Sequence, residues 1–246
     1  MRRLGTLWWV VLAILILIFL LLRLPASLLG SVLEGQSGGK LQLVAAEGTI
    51  WQGSAQPVLQ GAALAERLSW NWQPKALLQG KLGYQIKLDQ GSALLNVGLR
   101  SLELRDANLG LPAAPLLQLD NRSKAYGLAG QLQLSTGRFV WQAGKPEGQL
   151  LLDWRNAASS LVPAVQPLGD YRATLSPAGE RWQLQLTTLG GPLQLSGQGS
   201  WDAKQGLQAE VGLKAANGSE GLLAPFLSQV GAGAPDSERR LRFNFR

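Results

Sequence analysis

Two rhythms of apolar and polar residues run along this chain. From Leu4 to Leu22 the segment LGTLWWVVLAILILIFLLL carries no charge, and a helix of about 19 residues covers roughly 28 Å of hydrocarbon. It predicts a membrane-crossing helix. Beyond it, apolar residues recur at every second position: Leu82, Tyr84, Ile86 and Leu88 alternate with Gly83, Gln85 and Lys87. The alternation returns at Leu95, Val97 and Leu99, along 128–134, 182–186, 193–195 and 207–213, and in Leu241, Phe243 and Phe245. A period of two is that of a strand with one apolar and one polar face. Glutamine fills many polar positions, as in GQLQL, WQLQL and PLQLSGQG, which fits an antiparallel sheet covered on one side and wet on the other.

Glycine and proline punctuate the strands. LGGP at 189–192 and SPAGE at 176–180 read as hairpin connections, while Gly197 and Gly199, inside an alternating run, predict a sharp bend or a bulge. Three segments of helical composition, 74–80, 156–169 and 220–231, are expected to plug the ends of the sheet, kept short by Pro163 and Pro225. The predicted class is mainly β: an N-terminal transmembrane helix, then a strongly curved antiparallel sheet or partial barrel with a few short helices. Short words also repeat. Gly48, Trp51, Leu68-Ser-Trp70 and Leu82-Gly-Tyr84 are echoed 84 to 90 residues later by Gly137, Trp141, Leu152-Asp-Trp154 and Leu168-Gly-Asp-Tyr171. A duplication, or a chance match of short words, explains the echo. The expected organisation is a cytoplasmic tip at 1–3, the helix at 4–22, a linker at 23–40 and a periplasmic β domain at 41–246, with candidate halves 41–127 and 128–246.

Charge orients the helix. Arg2 and Arg3 precede the apolar run and Arg23 closes it, followed by a sparsely charged stretch; the positive-inside rule then places the N-terminus in the cytoplasm. Trp8 and Trp9 fall near the cytoplasmic interface, where aromatic belts form. The run is longer than a signal-peptide core, and LPASLLGS lacks a small-x-small cleavage site, so the anchor is expected to stay uncleaved. With the three flanking arginines set aside, 20 basic and 16 acidic residues remain, a balance of +4 spread without runs. Nucleic-acid binding needs a concentrated basic stripe, and none is present.

Composition removes most catalytic chemistry. Without cysteine or histidine there is no disulfide, no thiol or Ser-His-Asp nucleophile and no common transition-metal ligand set. The acids are scattered. Asp153, between Leu152 and Trp154, is expected on the wet face, and Asp170 in LGDY is expected to stabilise a turn. No phosphate loop, dinucleotide fingerprint or calcium loop occurs, so no cofactor and no enzyme activity are expected. Of the nine tryptophans, Trp51, Trp70 and Trp154 are the best candidates for packing rather than ligand stacking.

The anchor followed by Leu24-Pro25, then GTIWQGSA (48–55), LSWNWQP (68–74), LLQGKLGY (77–84), GQLLLDWRNA (148–157), PLGDYRATL (167–175) and LTTLGGPLQLSGQGSW (186–201), resembles the type II secretion system protein N family. Gly48, Trp51, Gly53, Trp70, Trp72, Gly80, Trp154, Gly169, Tyr171, Gly197 and Gly199 carry the likeness as structural positions. The resemblance implies an accessory component of the secretion machine, held in the inner membrane and acting as an adaptor toward the inner-membrane platform or the outer-membrane secretin. The Leu-x-Leu-x-Gly-x-Gly runs are also loosely similar to AsmA-like envelope proteins, whose curved sheets carry lipid. A filled interior favours the adaptor and an open apolar groove the lipid carrier. An unpaired strand edge would mark where a partner adds.

Overall fold

A computed structural model describes residues 2–119, 124–143, 145–179, 181–202, 205–230 and 237–245, with the side chains of 2–7, 243 and 245 excepted. The chain forms two compact units, Met1–Trp72 and Gln73–Arg246.

The smaller unit holds α1 (Arg2–Leu22), α2 (Ser27–Gln36), β1 (Leu41–Gly48), β2 (Gln52–Leu59), β3 (Ala62–Ala63) and β4 (Leu68–Gln73). β2 lies between β1 and β4 in an antiparallel sheet, with β3 folded onto its end. Helix α2 occupies most of the stretch expected as a linker. Its leucines at 28 and 29 and Val32 and Leu33 recur at helical spacing, a pattern too short to stand out beside the apolar run before it. Among the described residues no helix is long and apolar enough to cross a membrane; from Trp8, where described side chains begin, to Leu22, α1 covers about 22 Å.

The larger unit opens with a 3-10 turn (Pro74–Gln79) and continues through β5 (Leu82–Leu88), β6 (Gly91–Val97), β7 (Ser101–Pro112), α3 (Ala113–Leu117), β8 (Leu128–Gln142) and β9 (Lys145–Gly148). There follow β10 (Leu150–Ser159), β11 (Gly169–Ala178), β12 (Arg181–Gly190), β13 (Leu193–Asp202), β14 (Gly206–Ala215), α4 (Glu220–Val230) and β15 (Arg239–Phe245). Each strand pairs antiparallel with the next, except that β9 folds back on β8 and β10 takes the next place. It is a meander that does not close. The most extensive pairing joins β7 to β8, from Ser101 against Gln142 to Pro112 against Gln131. A boundary at 127/128 would fall between these two paired strands, whereas the compact units divide at Trp72/Gln73.

One face of this sheet is apolar, and the sheet curls toward it. In register, Trp182, Leu184 and Leu186 of β12 oppose Trp201, Gly199 and Gly197 of β13, which in turn oppose Leu207, Ala209 and Val211 of β14. Phe139 on β8 stacks on Trp182 with centroids 5.1 Å apart, and Trp141 meets Trp201 at 5.7 Å. β8 and β12 are three strand spacings apart, about 14 Å in a flat sheet. Only a strong roll brings those rings into contact. Gly197 and Gly199 lie on the inside of the roll, where a Cβ on Gly199 would approach Gln208 O to 2.6 Å and Ala209 Cβ to 2.8 Å. The curve expected at these glycines is present and the bulge is not, for both ladders run through them without a register shift. Register shifts instead sit at Ala45, Asp106 and Asn156, each at positive φ, and at Leu189, which is the extra residue opposite Asp170 and Tyr171.

The opposite end of the roll is closed by side chains. Val162, Val165 and Leu168 from the β10–β11 connection pack with Leu193, Leu213, Ala215 and with Leu223, Phe226 and Leu227 of α4. The expected plug at 220–231 is therefore a helix, with Pro225 inside it. The expected helix at 156–169 is not. Its first residues finish β10, and the remainder is an irregular loop whose prolines, at 163 and 167, deny it helical hydrogen bonds. The plug at 74–80 forms as the 3-10 turn.

Two substitutions test the roll. Gly199→Val on its inside is expected to cost about 1–3 kcal/mol in denaturant unfolding, by overpacking. Gly137→Ala, where an added Cβ meets nothing within 4 Å, is expected to stay within about 0.5 kcal/mol. Equal effects at the two sites would contradict a concave inner face.

Candidate functional site

Three arrangements stand out, one in the smaller unit and two in the larger. In the smaller unit, the end of α1 is clamped to the β1–β2 hairpin. Leu21 is in the last helical turn, where carbonyls have no partner within the helix, and its oxygen accepts a 2.7 Å hydrogen bond from Trp51 Nε1. Ile50 N donates to Leu24 O at 3.0 Å and Ala26 N to Gly48 O at 3.1 Å. Thr49 folds the hairpin by accepting at Oγ1 from the backbone of Trp51 and Gln52, and its own carbonyl accepts from Trp70 Nε1 at 3.0 Å. Gly53 makes room for that indole: a Cβ there would lie 2.6 Å from Trp70 Cζ2. Trp72 leans on Trp51 with centroids 4.9 Å apart. The words GTIWQG and LSWNW are thus the two halves of one joint.

The polar face of the larger unit is held by ion pairs. Glu103 on β7 is buried, with Lys81 Nζ at 2.7 Å, Arg105 Nε at 2.9 Å and Arg138 Nε at 3.0 Å. Hydrogen bonding to Lys81, opposed by burial and reinforced by Arg138 and Arg105, pulls its carboxyl down to about 2. Asp153 on β10 is the centre of a second cluster, with Arg172 Nε at 2.6 Å and Arg155 at 2.8 Å. The Arg172 contact holds its carboxyl below the usual range. Asp153 does lie on the polar face, where its strand neighbours are Gln133 and Arg172, but beneath arginines rather than in water. Asp170 accepts the Asn156 backbone N–H at 2.7 Å, satisfying the bulge instead of a turn of its own. Sequence shows Glu103 only as a lone acid between Leu102 and Leu104; nothing in it shows that three cations converge there.

The third arrangement is the free end of the sheet. Among the described residues β15 pairs with β14 alone. On its polar side Arg240 and Arg242 lie 3.5 Å and 3.4 Å from the Glu210 carboxylate of β14. Beside them a shallow depression of about 720 Å³ is lined by Arg181, Gln183, Gln198, Gln208, Arg242 and Asn244. A bare edge is a template for another strand, and charged side chains along it limit promiscuous pairing.

The residues expected from the sequence are spread among these places. Arg2, Arg3 and Leu4 fall in the first turns of α1, outside the described side chains; Trp8, Trp9 and Leu22 are exposed on α1, and Arg23 lies over the Phe19 ring at 5.3 Å. Trp70 is buried as expected, whereas Trp51 and Trp154 are half-buried, each donating its Nε1–H to a backbone carbonyl, Leu21 O and Ala129 O. Trp182, not singled out by sequence, is buried in the roll together with Phe139. Gly80 ends the 3-10 turn and Gly169 begins β11, next to Tyr171, whose hydroxyl donates to Leu193 O at 2.9 Å and is pushed up by burial. The repeat does not map element onto element: Gly48 and Trp51 bound a hairpin, while Gly137 and Trp141 lie inside β8. Among the described residues no group of acids is arranged to hold a metal ion.

Residues 39–244 match the family described as type II secretion system (T2SS), protein N. The type II secretion system protein N of Vibrio cholerae serotype O1 is 33% identical over 150 residues, which cover 52% of this chain and 58% of that relative. The aligned stretch is thus under two thirds of the relative's length. No solved structure matches the chain.

The Glu103 cluster sets a pH dependence. Its folded value, about 2, is below the ordinary 4.5, so its contribution is complete above about pH 4.5 and is lost as pH falls through 2. Glu103→Gln is expected to cost about 1–3 kcal/mol at neutral pH, with the gap from wild type narrowing between pH 4.5 and 2 in denaturant titrations. A gap unchanged with pH would rule out an ionised Glu103 as the source.

Proposed function

The chain belongs to the type II secretion system protein N family, and from that premise we propose that it is an accessory scaffold of the secretion machine which tethers a β body to the inner membrane and offers the edge of β15 to a partner strand. The uncharged run from Leu4 to Leu22 serves as the tether, with Arg2 and Arg3 on the cytoplasmic side and the β units in the periplasm. The clamp at Trp51 joins that tether to the smaller unit, so the sheet begins where the membrane ends. The partner is another component of the type II machine, in the inner-membrane platform or at the secretin.

The observation that carries this reading is the outer edge of β15, which pairs with β14 alone among the described residues. An added strand gains main-chain hydrogen bonds without any catalytic group, and the arginines at 240 and 242 supply the selectivity that an unguarded edge lacks. Adaptor and lipid-carrier readings part at the inner face, which the adaptor reading leaves filled by Trp182, Phe139, Trp141 and Trp201. Purification in mild detergent with retained phospholipid between the inner leucines would favour the carrier.

A photo-crosslinking residue at position 244, in a full-length chain expressed in a secreting strain, is expected to capture a secretion component. Arg242→Pro, which puts a ring on the edge strand, is expected to abolish the crosslink while the protein still accumulates. A strain lacking the gene that secretes normally, with no crosslink from 244, would sink the reading.

A further inference from the structure

At one end of the larger unit three features lie side by side: the 3-10 turn leading into β5, the β6–β7 turn and the paired ends of β8 and β9 at Gln142 and Lys145. Their strands set a cross-strand row of Leu82, Val97, Leu102 and Trp141, each paired with the next. The three apolar aliphatics of that row are 38–41% exposed, and beyond it Leu78 and Leu99 stand at the loop tips at 91% and 104%. Leucines this exposed on separate tips have no packing role in the unit. The charge around them is mostly basic, with the exposed Glu147 two residues beyond Lys145. Residues 74–82, 96–102 and 141–146 contain no Asp or Glu and hold Lys75, Lys81, Arg100 and Lys145; Lys81 is committed to buried Glu103, while Lys75, Arg100 and Lys145 are exposed.

We infer that this rim is a bilayer contact, with Leu78 and Leu99 entering the boundary between headgroups and acyl chains of an anionic phospholipid membrane. Apolar tips flanked by cations are what such a boundary accepts: the leucines leave water, and Lys75, Arg100 and Lys145 meet the phosphates. Trp141, the fourth member of the row, is turned onto Trp182 and Trp201 inside the roll, so the aliphatic members and the two tips make the contact. A protein partner would ask for a continuous flat patch, whereas the tips here project singly. The inference rests on the proposed tether only in that the tether keeps the chain at a membrane. A second contact of this kind would fix the orientation of the larger unit on the surface, which a single helix leaves free to swivel.

The absence of cysteine permits a clean test. The full chain carrying an environment-sensitive fluorophore at Leu99→Cys, at Gln90→Cys in the β5–β6 turn at the other end of the same strands, or at Ile14→Cys in α1 is reconstituted in phosphatidylcholine vesicles with and without phosphatidylglycerol. Lipid-borne nitroxide is the quencher. Position 99 is expected to be quenched and position 90 not, with quenching at 99 stronger in phosphatidylglycerol and its insertion equilibrium about fivefold weaker in Arg100→Gln, the effect of one basic charge at an anionic surface. Quenching at 99 no greater than at 90 overturns the inference, and equal quenching in both lipids overturns its anionic specificity. Position 14 reports on the tether separately: loss of quenching there with 99 still quenched would discard the tether and keep the rim.

Discussion

A sheet with one apolar face and no second layer must hide that face by rolling. In the larger unit the roll is held where Phe139 stacks on Trp182 and Trp141 reaches Trp182 and Trp201, aromatics from strands that would be far apart in a flat sheet. The rest follows from this constraint. Gly197 and Gly199 appear where the inner side leaves no room for a Cβ, and α4 with the 160–168 loop fills the end that the aromatics do not reach. The roll also stops short of closing. With ten strands in line and a meander topology, the last strand keeps one edge bare among the described residues.

The polar face carries a different kind of order. Glu103 and Asp153 are buried beneath cations from their own strands, Arg105 and Arg155, and from elsewhere in the sheet, Arg138 on β8, Arg172 on β11 and Lys81 just before β5, so each carboxylate ties its ladder together through charge-assisted hydrogen bonds. Removal of Glu103 would take the shared counterion from three cations, and removal of Asp153 would take it from Arg172 while Arg155 keeps Asp170 at 3.6 Å; removal of one cation leaves the others in place. This asymmetry makes the acids the more sensitive members. Elsewhere on the larger unit, Arg240 and Arg242 lie at the β15 edge and the exposed Lys75, Arg100 and Lys145 at the leucine-tipped rim. These are the surfaces available for a scaffold whose family belongs to a secretion machine.

Much of this was legible in the sequence, for identifiable reasons. The period of two between Leu82 and Leu88 is local information, and so are the hairpins at 176–180 and 189–192; these appear where expected. What the sequence hid was mostly non-local. Asn156 takes a positive φ because Asp170, fourteen residues on, holds its N–H, and no window of sequence contains both the cause and the effect. Glu103 looks like any solvated acid in an alternating strand until β5 and β8 bring Lys81 and Arg138 to it. Trp51 reads as core, yet its indole serves a helix carbonyl thirty residues earlier. The family words were informative because several of them, Gly48, Trp51, Gly53 and Trp70, mark one joint; the pattern of the words alone does not say so. Helix α2 was missed because a short amphipathic stretch after a long apolar one looks like a tail of it.

The roll is most directly tested by a double-mutant cycle on Phe139 and Trp182, with Phe139→Leu, Trp182→Leu and the pair compared in denaturant unfolding. Contact between the rings predicts a coupling of about 0.5–1.5 kcal/mol. Additivity within about 0.3 kcal/mol would mean that β8 and β12 do not meet across the inner face, and the rolled sheet with its open edge would have to be abandoned.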